Sequence, residues 1–127
     1  MSGDALRGSR LCGAASFAVR GKVEGPGICH CSQCRKQSGH VWASAFAPAS
    51  RVEITGEVRW FASSDTARRG VCPHCGSFLF WRHTAEDTIS FSLGVLDGPT
   101  GLTLEKHIFA RDKGDYYEIA DGLSQST

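Results

Sequence analysis

The chain has 127 residues, of which 14 are Lys or Arg and 13 are Asp or Glu, for a formal net charge of +1. That length suits one domain around a single core, and the near-balance of charge argues against a strong electrostatic partner such as duplex nucleic acid. No apolar run approaches the roughly 20 residues of a membrane-spanning helix, so no membrane partner is expected, and the sequence leaves the oligomeric state open.

With 15 Gly and several short apolar runs, the composition points to an all-β, turn-rich fold with little helix. Residues 1–10 are polar and hold no apolar h-region, so no signal peptide is expected. Six Cys in such a chain read as metal ligands in a reducing, cytoplasmic setting rather than as disulfides.

Residues 1–8 read as a flexible lead and 9–121 as a single domain. Ala15, Phe17 and Val19 alternate as a strand does, and the Gly- and Pro-bearing stretch 21–27 reads as a loop. Ser32 to Ser38 is predicted to form a helical turn closed by Gly39 in a left-handed cap. Residues 41–46 read as a strand ended by Pro48. Val52 and Ile54, then Val58 and Trp60, resemble two strands around Gly56. Residues 63–69 look like a polar loop. Phe78 to Trp81 is a buried strand candidate, and Ile89, Phe91 and Leu93 alternate as another. Asp97-Gly98-Pro99 is a turn, and 107–110 a short strand. Tyr116, Tyr117 and Ile119 are expected to pack a last segment onto the core, ahead of a frayed tail over 122–127.

The stretch with the most chemistry is Cys29-His30-Cys31-Ser32-Gln33-Cys34. Three thiols spaced C-x-C-x-x-C are more than a core requires. Soft thiolates suit Zn²⁺, which takes them into a tetrahedron at about 2.3 Å. The two-residue gap between Cys31 and Cys34 is a knuckle spacing that aims backbone N–H groups at the sulfurs. A second knuckle follows at Cys72-Pro73-His74-Cys75-Gly76, where Gly76 permits positive φ.

Two partitions are open on spacing alone. Cys31, Cys34, Cys72 and Cys75 can form one closed structural zinc ribbon, leaving Cys12 and Cys29 as spare thiols. Alternatively Cys29, Cys31 and Cys34 hold one metal, and Cys12, Cys72 and Cys75 a second. A redox role for C-x-x-C lacks its usual βαβ context.

Cys12-Gly13, the run from Cys29 to Lys36 with Ser38-Gly39, and Cys72-Pro73-x-Cys75-Gly76 resemble the glutathione-dependent formaldehyde-activating enzyme family, as does the later His107-Ile108-Phe109 with the stretch 113–119. The resemblance spans about residues 8–122. It implies a zinc-binding β-tent fold of small coiled antiparallel sheets. It matches Cys29, Cys31 and Cys34 to the ligands of an open catalytic zinc, and Cys12, Cys72 and Cys75 to three of four structural zinc ligands. Arg10 stands where the family carries the fourth thiol, so that site is incomplete. His74 is the nearest spare donor in sequence, but it lies inside the knuckle. One or two Zn²⁺ per chain follow.

An ion held by three thiolates is a weaker Lewis acid than one held by three imidazoles and welcomes a fourth soft ligand. That favours thiol chemistry over amide or phosphate hydrolysis. The family resemblance implies a carbon–sulfur lyase that forms or cleaves an adduct of the S-hydroxymethylglutathione type, with a small thiol or glutathione conjugate as partner. The rival reading is a non-catalytic zinc-binding module for a protein or nucleic-acid partner. His30 and His40 read as structural or solvent-facing. Arg35, Lys36, Arg68, Arg69 and Arg82 are candidate contacts for substrate carboxylates, each with a plain surface role as the simpler reading. Trp42, Phe46, Phe80 and Trp81 are core residues first and pocket residues second.

Overall fold

The computed structural model describes residues 5–13 and 16–127. Eleven strands and one helix follow in order: β1 Leu6–Ser9, β2 Ser16–Val19, β3 Glu24–Cys29, α1 Ser32–Ser38, β4 Trp42–Pro48, β5 Val52–Thr55, β6 Arg59–Ala62, β7 Ala67–Val71, β8 Phe78–His83, β9 Thr88–Ser92, β10 Lys106–Ile108 and β11 Ser124–Gln125. They form a three-stranded sheet, β1-β2-β5, and an eight-stranded sheet, β11-β10-β3-β4-β9-β8-β7-β6. Most pairs are antiparallel, as expected. At one edge, however, β10 runs parallel to both β3 and β11, so the large sheet is mixed. Among the described residues, no helix is long and apolar enough to cross a membrane.

The alternation of strand residues sorts the large sheet into two faces. Ala45 and Ala47 of β4, Ile89 and Phe91 of β9, and Phe80 of β8 turn toward the small sheet, where Phe17 and Val19 complete the main core. The Phe17 ring meets Phe80 edge-on at 5.0 Å and Phe91 at 5.9 Å between centroids. Across from Phe17 in the register stands Gly8. A Cβ there would lie 2.4 Å from the Phe17 ring, so the ring occupies the space that any other residue would need. The opposite face of the large sheet carries Trp42, Cys29 and Trp81, and α1 closes over it.

Several expectations are revised. Residues 6–8, read as part of a flexible lead, belong to β1, which pairs with β2 through its backbone. The stretch 21–27 is not all loop: β3 begins at Glu24, with a register shift between Glu24 and Gly27 that accommodates Gly25 and Pro26. The strands before and after Gly56 do not pair with each other, since β5 joins β2 and β6 joins β7. Residues 67–69, expected in a polar loop, belong to β7. The strand at 107–110 ends at Ile108, because Phe109 turns left-handed at φ 54° into a short 3-10 turn. The tail is not frayed at Ser124–Gln125, which pairs with β10. Ala15 lies outside the described residues. Helix α1 falls where expected, and Gly39 ends it at φ 88° with its N–H on the Arg35 carbonyl.

Phe80 is fully buried between the sheets. Phe80→Ala is expected to cost about 3–5 kcal/mol, read as a lower midpoint in urea unfolding. Phe61→Ala, on an exposed side chain of edge strand β6, should stay within about 0.5 kcal/mol.

Candidate functional site

Strand register assembles one wall of the site. Cys29 closes β3, with Trp42 of β4 opposite it on one side and Ile108 of β10 on the other. Further along the same face, Ser90 of β9, Trp81 of β8 and Arg69 of β7 form a second row. Helix α1 supplies Gln33 and Cys34, and Cys31 caps its N-terminus. Together they enclose a pocket of about 450 Å³. Trp42 is fixed in its rotamer by an indole N–H donated to Ser92 Oγ at 2.6 Å, and Ser92 in turn donates to the Phe78 carbonyl at 2.6 Å.

The sulfurs of Cys29, Cys31 and Cys34 lie within 4.8 Å of one another at this wall. Two sulfurs on a tetrahedral metal at about 2.3 Å sit about 3.8 Å apart, so the trio is nearly gathered for an ion. The knuckle behaves as its spacing predicts: the Cys34 N–H points at Cys31 Sγ at 3.3 Å. Among the described residues, no two cysteines are joined in a disulfide. The hydrogen bond from Cys29 and then the neighbouring Arg69 guanidinium hold the Cys34 thiol down to about 6, against its burial. The same Cys34 bond, reinforced by burial, pushes the Cys29 thiol well up. A metal bound at these sulfurs would displace their thiol protons.

Arg69 was expected among the surface cations. It is buried instead, with Nη1 and Nη2 at 3.6 and 3.7 Å from Cys34 Sγ and Nη1 donating to Gln37 Oε1 at 3.0 Å. Its guanidinium also lies over the Phe78 ring. The buried Nε–H finds no acceptor among the described residues, which leaves one charged donor unsatisfied there. No sequence spacing singles Arg69 out. The only hint is that it shares a strand face with Ala67 and Val71, which a polar neighbourhood masks. Of the other candidate cations, Arg68 donates to the Ser64 and Ala67 carbonyls, and Arg35 Nε donates to the Asp112 carbonyl at 3.2 Å. Lys36 lines an adjoining hollow of about 350 Å³ that shares Gln33 and Arg69 with the pocket. Trp42 and Trp81 line the pocket, whereas Phe80 belongs to the core.

The sulfurs of Cys12, Cys72 and Cys75 form a second cluster within 4.8 Å, with Cys12 and Cys72 at 3.7 Å. The His74 N–H points at Cys72 Sγ at 3.4 Å, while its exposed ring is not among the clustered donors. Gly76 takes φ 81° as the knuckle turns. A hydrogen bond with Ser77 holds the Cys75 thiol down to about 6. Burial pushes the Cys72 thiol up, but backbone donors from Cys75 and His74 outweigh it and leave it below its ordinary value. Arg10 is buried and donates Nη1 to the Glu57 carbonyl, so it acts as a peg to a neighbouring loop and offers no ligand. Both trios present soft donors at metal spacing and can hold metal ions.

The sequence model of the glutathione-dependent formaldehyde-activating enzyme family matches residues 5–112. An uncharacterized lyase of Schizosaccharomyces pombe is 27% identical over 129 residues, covering 94% of this chain and 89% of that protein. A crystal structure of a Rhodobacter sphaeroides protein superposes with a TM-score of 0.62 at 21% identity, covering 95% of this chain and 99% of that one. At that identity the likeness speaks for the fold.

Arg69→Gln removes the guanidinium from Cys34 while keeping an amide. In metal-free protein the pH midpoint of Cys34 alkylation is expected to rise above about 6, with a rate at pH 7 several-fold lower, because a nearby cation favours the thiolate. An unchanged midpoint, measured by mass spectrometry of the alkylated peptide, would assign the low value to Cys29 alone.

Proposed function

The chain belongs to the glutathione-dependent formaldehyde-activating enzyme family, and from that premise we propose that it is a zinc-dependent carbon–sulfur lyase acting on a thiol–aldehyde adduct of the S-hydroxymethylglutathione type. Cleavage breaks the carbon–sulfur bond, makes a carbonyl from the hydroxymethyl group and moves one proton from oxygen to sulfur. Formation is the reverse, and neither direction needs an oxidant or reductant.

The observation that carries the reading is the convergence of three sulfurs on one wall of a pocket of about 450 Å³, with no fourth Cys, His, Asp or Glu in the cluster among the described residues. Cys29, Cys31 and Cys34 would hold the catalytic zinc, and Cys12, Cys72 and Cys75 a structural one. Bound by the first trio, zinc supplies a Lewis acid with one tetrahedral position left for a soft ligand or a polarised oxygen. Three thiolates on a divalent ion leave one net negative charge, and Arg69 offsets it at the sulfur of Cys34. Trp42, Trp81 and Ile108 keep the wall apolar, which limits the water that competes with a thiol for the aldehyde carbon. Arg35, tied to the pocket-lining Asp112, and Lys36 in the adjoining hollow place positive charge where the carboxylates of a glutathione-like thiol can meet it. Cysteines gathered as metal-type donors rather than as disulfides suit a reducing compartment such as the cytoplasm.

Cys29→Ser replaces the ligand at the sheet end of the trio with a poorer donor. Turnover of the glutathione–formaldehyde adduct is expected to fall at least about 100-fold, and bound zinc by one equivalent per chain, with the far-ultraviolet dichroism unchanged. Full activity with full zinc would overturn the reading. Zinc-loaded wild-type protein that turns over no thiol–aldehyde adduct would favour the non-catalytic module.

A further inference from the structure

The residue between Cys29 and Cys31 has no part in the chemistry above, yet it is among the most buried polar side chains in the molecule, 2% exposed. The backbone is extended on both sides of it: Cys29 ends β3, and Cys31 sits at φ −65°, ψ 160°. Alternate residues of an extended chain face opposite ways. Both flanking sulfurs therefore reach the pocket only if the ring of His30 is held on the other side.

It is held there at both nitrogens. His30 Nδ1 meets the Tyr117 hydroxyl at 2.5 Å, and Nε2 meets His107 Nδ1 at 2.8 Å. His107 Nε2 meets Asp121 Oδ2 at 2.8 Å. With both rings neutral, one proton order satisfies the whole row: His107 donates to the carboxylate, His30 donates to His107, and Tyr117 donates to His30. The Tyr117 ring also stacks on His30, 5.5 Å between centroids at 21°. Lys113 Nζ donates to the Tyr117 carbonyl at 2.6 Å, and the His40 ring packs edge-on against Tyr117. Tyr117 and Asp121 lie beyond the residues that the family comparison matches.

We propose that Tyr117, His107 and Asp121 are positioning residues which, acting through His30, fix the rotation of the Cys29–Cys31 backbone so that both sulfurs face the metal position. The inference rests on the reading of Cys29, Cys31 and Cys34 as a metal site, but not on the reaction performed there. Outer partners that orient metal ligands typically change affinity by about 10–100-fold when lost. Here the orientation passes through the backbone between two ligands rather than through a ligand's own ring.

The test uses the full chain loaded with Co²⁺, which reports thiolate coordination in its absorption spectrum, and iodoacetamide to count unprotected thiols. Tryptic fragment 23–35 carries Cys29, Cys31 and Cys34, and fragment 70–82 carries Cys72 and Cys75, so the two clusters are read separately. Tyr117→Phe keeps the stacked ring and removes only the hydroxyl. Asp121→Asn removes the charge and turns one of two acceptor oxygens into a donor, so the side chain can no longer accept from both His107 and Leu123, and it serves if the first variant folds poorly. In each, alkylation of fragment 23–35 is expected to speed up at least about tenfold and the thiolate-to-cobalt bands to shift, while fragment 70–82 stays as protected as in the unsubstituted protein. Unchanged bands and protection in both variants would overturn the proposal. So would equal loss of protection in both fragments, which is general loosening, or a first trio that takes no cobalt in the unsubstituted protein. Absence of turnover in the zinc-loaded unsubstituted protein overturns the lyase reading alone, because the cobalt bands and the alkylation rates do not depend on the reaction.

Discussion

The site depends on a constraint of extended backbone: a residue and its second neighbour share a face, and the residue between them faces away. At Cys29-His30-Cys31 this couples two metal-type donors to whatever anchors the middle ring. The tripeptide cannot deliver both sulfurs to the pocket unless the other side of the sheet end offers His30 a place, and a buried imidazole needs partners for both nitrogens. Tyr117 and His107 supply them. The rest of that edge follows. Strand β10 must lie beside β3 to bring His107 within reach, and its next residue, Ile108, then stands opposite Cys29 and becomes pocket wall.

The two cysteine trios are alike in spacing and different in setting. The first is largely buried, with Cys29 and Cys34 in a cluster with Trp42 and with a guanidinium at the sulfur. A buried negative charge is costly unless paired, and Arg69 provides the pair without filling a coordination position. In the second trio Cys12 is exposed, and the nearby Arg10 is directed to the Glu57 carbonyl. Donors in that trio are lowered by backbone N–H groups and by Ser77 instead of by a full charge. The first trio thus lies in a charge-balanced interior, whereas the second runs from the buried Cys72 to the exposed Cys12.

Sequence patterns showed those parts of the structure in which one local rule was enough. Ser32–Ser38 ends at Gly39 because only a left-handed cap fits there, and β9 reads from its own alternation. Both knuckles were legible from their spacing, as were the two groups of three cysteines through family resemblance. What stayed hidden was tertiary in origin. Strand β7 reads Ala-Arg-Arg-Gly-Val, which looks like a loop because its pocket face carries Arg69 and its core face carries Gly70. A Cβ on Gly70 would come within 2.8 Å of Val58 and 3.1 Å of Trp60, so the apolar content of that position belongs to its neighbours. Strand β11 has two residues and no periodicity to read. The burial of Arg69 and the row from Tyr117 to Asp121 depend on contacts between distant segments that no spacing encodes.

The edge at β10 and β11 explains why the C-terminal segment is ordered despite its composition. Parallel neighbours need long connections, and β10, at Lys106–Ile108, lies between β3, which ends at Cys29, and β11, which begins only at Ser124. Closing such loops costs entropy that a three-residue strand cannot recover from its own backbone bonds. Three side-chain contacts and one further backbone bond add to those bonds: Asp121 on His107, Tyr117 on His30, Tyr116 on His40 at 2.7 Å, and the backbone Ser126 N–H on the His107 carbonyl at 3.0 Å. Three of those four contacts end on a histidine side chain, and two of these histidines, His30 and His40, bracket α1 with its cysteines. The C-terminal segment and the cysteine-bearing loop are therefore tied together through histidine side chains that flank α1.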